Sequence, residues 1–156
     1  MKKSIKKILF IGLIVFLLMQ LYQPARNESY EQVNTVAFTK VYKVPKNIKT
    51  ILQTSCYDCH SNNTNYLWFD NIQPARMLVE NHIKKAKKDL NFDEWANYSS
   101  RKQRNKLDRI VKQIKANEMP LPSYTLIHKN AVLTAVQKEQ LISWIEKVSD
   151  SLSKIN

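Results

Sequence analysis

The chain has 156 residues, with 25 Lys and Arg against 13 Asp and Glu for a formal charge of +12, 44% hydrophobic residues and one glycine. That length suits one compact domain, and a lone glycine at Gly12 leaves the rest without the usual residue for tight hairpins, so an all-α fold is expected over a sheet. The positive residues of 84–88 and 101–115 stand at helical spacing with no aromatics interleaved for base stacking. They argue against nucleic acid and for solvated helix faces or an acidic protein partner.

Lys2, Lys3, Lys6 and Lys7 precede Ile8–Met19, twelve residues without a polar side chain. This predicts an export signal or membrane anchor over 1–23, at a length short of the roughly 20 residues of a full span. No small-x-small cleavage pattern follows, and the four lysines would stay on the cytoplasmic side of an inner membrane, which places the remainder in the periplasm.

Residues 24–45 read as a polar, irregular tether, and 46–156 as the folded domain. Pro45 can open a helix on which Ile48, Ile51 and Leu52 share one face, running straight into Cys56. Pro74 opens a second helix, with Met77, Leu78 and Ile83 on its apolar side. Ser100 and Gln103 have capping-box spacing ahead of the stripe Leu107, Ile110, Val111 and Ile114, and Thr134 and Gln137 repeat it ahead of Leu141, Ile142, Ile145, Val148 and Leu152. Between these helices Glu118-Met119-Pro120-Leu121-Pro122 forms an extended loop.

The chain's 2 cysteines fall in Cys56-Tyr57-Asp58-Cys59-His60. On one helical turn Cys56 and Cys59 point to the same side and can form thioethers to the two vinyl groups of one haem, with His60 as the proximal iron ligand. A thioredoxin-like redox pair needs a strand before the motif, structural zinc needs four ligands, and a plain disulfide leaves His60 without a role. Covalent haem c, one per chain, is the expectation.

Met119, 59 residues after His60, is the expected second axial ligand, held in a Met-Pro dipeptide. Met77 is expected in the core; His82, His128 and an open site are the alternatives. Tyr66, Trp68, Phe69, Leu121, Tyr124 and Trp144 are candidate walls of the haem pocket, and Arg76 could pair a propionate.

The segments Cys56-Tyr57-Asp58-Cys59-His60-Ser61-Asn62, Tyr66-Leu67-Trp68-Phe69, Asn71-Ile72-Gln73-Pro74, Leu90-Asn91-Phe92 with Glu94-Trp95, and Glu118 through His128 resemble the small bacterial haem-binding domain proteins, relatives of class I cytochromes c. The resemblance runs from about Pro45 to Lys147. It implies a helical cytochrome c-like fold, haem at Cys56, Cys59 and His60, and Met119 as distal ligand. A non-enzymatic electron carrier is expected, exchanging electrons with redox partner proteins. The rival is a haem-based ligand or redox sensor in which Met119 is displaceable.

Overall fold

The computed structural model describes residues 2–29 and 36–153. The part of the expected tether at 30–35, together with Met1 and residues 154–156, lies outside the described residues. Eight α-helices follow in order: α1 Lys2–Met19, α2 Phe38–Val41, α3 Lys46–Ser55, α4 Tyr57–His60, α5 Ala75–Asp89, α6 Ser100–Lys115, α7 Pro122–Ile127 and α8 Ala135–Ser153. Three 3-10 turns, Trp68–Asn71, Phe92–Asn97 and Lys129–Ala131, connect them, and the described residues contain no strand.

The core forms where the apolar faces of α3, α6 and α8 meet the turn carrying Phe92 and Trp95. Ile48, Ile51 and Leu52 of α3, Leu107, Val111 and Ile114 of α6, and Leu141 and Ile145 of α8 join in one buried cluster, with α8 packed against both α3 and α6. Phe38 stands at the centre of an aromatic cluster, edge-on to Trp95 at 4.7 Å, to Phe92 at 5.2 Å and to Trp144 at 5.7 Å. Edge-to-face rings at these separations add to the area that they bury. Trp144, expected at a haem pocket, is therefore part of this core.

The segment expected as a tether is built into the domain on both sides of 30–35. Ala37 and Phe38 are buried, because a bulky aromatic in a polar stretch gains more from the core than from solvent. Asn27 accepts at its backbone oxygen from Thr64 N and donates its side-chain amide to Ser61 O and Thr64 Oγ1, both at 2.9 Å. Gln73, buried, donates to Tyr22 O, and Arg76 donates from two nitrogens to Pro24 O.

α1 carries the apolar run, and its side chains from Ile8 to Leu18 are exposed on every face of the helix. No helix among the described residues is long and apolar enough to cross a membrane.

Helix ends show where local chemistry prevailed. Thr134 and Gln137 close the expected box, Gln137 N donating to Thr134 Oγ1 and Thr134 N to Gln137 Oε1. Gln103 does not bond Ser100; it donates to the carbonyls of Trp95 and Tyr98, which the preceding turn presents closer at hand. At the end of α6, Asn117 takes φ 58°, the left-handed cap position that glycine usually fills. Glu118 N then reaches Gln113 O at 3.0 Å, and the chain leaves the helix towards Met119.

Candidate functional site

α3 does not run straight into the motif. Cys56 breaks it with φ −130°, ψ −41°, and α4 restarts for one turn in which His60 N bonds Cys56 O at 3.0 Å. The break sends the two thiols to adjoining cavities. Cys56 lines one of about 320 Å³ together with His60, Phe92, Met119 and Leu133. Cys59 lines one of about 270 Å³ together with Phe69, Leu78, Tyr124 and His128. Leu121 and His82 belong to both walls, so the cavities are two parts of one cleft, of the size that holds small ligands.

His60 has its Nδ1 at 3.0 Å from Leu90 O. A carbonyl only accepts, so Nδ1 carries the proton and Nε2 keeps its lone pair. Burial lowers the imidazole's pKa, against smaller opposing effects from the backbone, and favours the neutral form that ligates metals. Met119 comes to the same cavity from the opposite end of the sequence, through the Asn117 cap.

Both thiols are free. Burial pushes Cys56 up to about 12 and Cys59 up to about 11. They are protonated at neutral pH, unlike the low-pKa thiolate of a thiol redox centre.

Asp58, inside the motif, is buried and fully engaged. Its Oδ2 accepts from Tyr124 OH at 2.7 Å, and its Oδ1 accepts from Asn65 Nδ2 at 2.9 Å. The first bond ties α7 to α4, and burial, then Asp58, raise the Tyr124 pKa. Tyr124 stacks on His128 at 4.0 Å. His128 Nδ1 lies 3.2 Å from Tyr124 O, while its buried Nε2 has no partner among the described residues.

Of the expected walls, Phe69, Leu121 and Tyr124 line the cleft, and Tyr66 and Trp68 line neither cavity. Trp68 is 76% exposed, because its 3-10 turn directs Phe69 inward instead. Tyr66 accepts from Asn27 N at 2.7 Å and donates to Glu80 Oε1 at 2.6 Å, fastening the N-terminal segment to α5. Arg76 is spent on Pro24 O. Met77, expected in the core, is 42% exposed and lines neither cavity. Leu78, 54% exposed, opens to the second cavity.

The sequence reading missed the Leu90 carbonyl, the Asp58–Tyr124 bond, and the side chains that α5 and α6 turn to the first cavity. Lys85, Ala86 and Asp89, and Arg109, Ile110, Gln113 and Ile114, recur at three- and four-residue spacing. That spacing groups them on a face, but nothing in it says which face meets a cleft.

These residues fit a haem. Two thiols border adjoining halves of one apolar cleft, an imidazole offers a free Nε2, a thioether stands in the same cavity, and a buried His128 Nε2 lacks a partner. The profile of a family described as a haem-binding domain matches residues 14–147. No curated protein matches the chain, and no solved structure does.

Proposed function

The chain belongs to the haem-binding domain family, and we propose that it is a monohaem c-type cytochrome, akin to class I cytochromes c, that passes single electrons in the periplasm. Cys56 and Cys59 would hold the haem through thioethers, and His60 and Met119 would bind its iron. The observation that carries this reading is the meeting of Cys56, His60 and Met119 at one apolar cavity, with His60 Nδ1 held by Leu90 O so that Nε2 is the free donor.

Haem supplies a one-electron iron couple when bound. The chain's residues set its surroundings: Leu90 fixes the imidazole, the Asn117 cap delivers the thioether, and Phe92, Ile114, Leu121 and Leu133 give the first cavity an apolar lining. A thioether and an apolar wall both raise a haem potential. The cationic surface suits an acidic redox partner at a transient interface. The 8–18 stretch of α1, apolar and exposed on all faces, suits a lipid setting near an inner membrane, with Lys6 and Lys7 reaching the headgroups.

Mass spectrometry of the protein matured in a bacterial periplasm tests this. One haem mass retained after acid extraction is expected, and its loss in a Cys56→Ser, Cys59→Ser variant. A matured chain without haem overturns the reading, and a haem released by acid overturns its covalent part.

A further inference from the structure

The two parts of the cleft differ in charge. The first cavity is lined by Lys85, Lys106 and Arg109 against one acid, Asp89. The second has no Lys or Arg on its wall and two buried acids, Asp58 and Asp70. Asp70 is held by Leu67 N at 2.7 Å, as Asp58 is by Tyr124, so neither is offset by a cation there.

The three cations are not equally engaged. Lys106 donates to Asp89 O and lies 4.3 Å over the Tyr98 ring. The ion pairs among the described residues are Arg26 with Glu28 and Lys115 with Glu146, so Lys85 and Arg109 form none. They stand on two helices, α5 and α6, at the wall of the cavity that holds His60 and Met119. Unpaired cations bordering an apolar cavity favour an anion there, since a carboxylate taken from water needs charged partners.

We infer that Lys85 and Arg109 hold the propionate carboxylates of the haem at the α5–α6 side of the first cavity. This inference rests on the haem reading above. Propionates at the second cavity would meet Asp58 and Asp70, and like charges at short range are costly. Arg76, the residue expected for this role, is occupied at Pro24 O. Two residues of basic runs that read as solvated faces thus become part of the cofactor site.

The test uses the matured full chain and follows the reduction potential against pH in a Lys85→Gln, Arg109→Gln variant. Removing cations beside a carboxylate raises its pKa, by roughly one to three units for a close pair. The propionate-linked step in the curve should move to higher pH by that amount, and the potential should fall. A Lys85→Arg, Arg109→Lys variant, which keeps both charges, should stay near the parent. Lys84→Gln and Lys112→Gln, on the same helices but away from the cavity, should leave the step in place. A step unmoved by the double substitution in protein that carries the haem mass overturns this inference alone. Absence of the haem mass overturns the underlying reading and this inference with it.

Discussion

His60 and Leu90 are joined by a hydrogen bond of 3.0 Å between Nδ1 and the carbonyl oxygen, across 30 residues of sequence. Leu90 caps the end of α5, its N–H bonded to Ala86 O at 2.8 Å, and the next residue, Asn91, donates its N–H to Tyr98 OH at 3.0 Å. The carbonyl is therefore held from both sides, and the imidazole takes its orientation from the end of a helix. Nitrogen NMR of the chain before haem attachment should find His60 as the neutral Nδ1–H tautomer at pH 7, with that proton slow to exchange. The Nε2–H tautomer would contradict the assignment of Nε2 as metal donor.

Methionine ligation has its own spectroscopic mark. The ferric protein should show the weak far-red band of a thioether on haem iron, and Met119→Ala should abolish it and open the ferrous iron to carbon monoxide. Met77→Ala should keep the band, because Met77 is outside both cavities. Persistence of the band in Met119→Ala would move the ligand elsewhere; carbon monoxide binding to the unsubstituted protein would favour a sensor.

Asn117 occupies a backbone region that a Cβ disfavours. Asn117→Gly should leave stability unchanged or raise it by a few tenths of a kcal/mol, whereas Asn117→Ala should cost about 1 kcal/mol. Urea unfolding of the two variants would measure the difference. Equal effects would mean that the left-handed cap does not set the exit from α6.

Phe38 measures whether the segment before α3 belongs to the domain. Its ring is 1% exposed and touches Trp95, Phe92 and Trp144, so Phe38→Ala should destabilise the fold by about 3–5 kcal/mol. Thermal unfolding provides the readout, and a loss well under 1 kcal/mol would restore the picture of a loose tether.

Tyr124→Phe removes the hydroxyl that donates to Asp58 and leaves a buried carboxylate oxygen short of a donor. The expected cost is about 1.5–3 kcal/mol. Because that bond joins α7 to α4, hydrogen exchange should rise at residues 123–127 ahead of the α6 and α8 core. Uniform loss of protection would show that the bond acts on the whole domain instead.

The sequence by itself determined what local chemistry can encode. Cysteines three apart with a histidine next point to haem, a haem-binding domain family matches residues 14–147, and stripes at three- and four-residue spacing specify helices α3, α6 and α8. The reciprocal box of Thr134 and Gln137 was legible for the same reason, since both partners lie within one turn. Direction was not legible. Trp68 and Phe69 are neighbours of similar hydrophobicity, and only the 3-10 turn decides that Phe69 faces the cleft while Trp68 faces outward. Phe38 lies in a polar stretch without periodicity, so its place in the core follows from Phe92, Trp95 and Trp144 converging on it. Lys85 and Arg109 look like any other cations of their runs until α5 and α6 are brought to the wall of one cavity. Distant segments acquire their relation only when one core fixes the position of each, and that is why the tertiary structure alone decided which carbonyl holds His60 and which cations border the cleft.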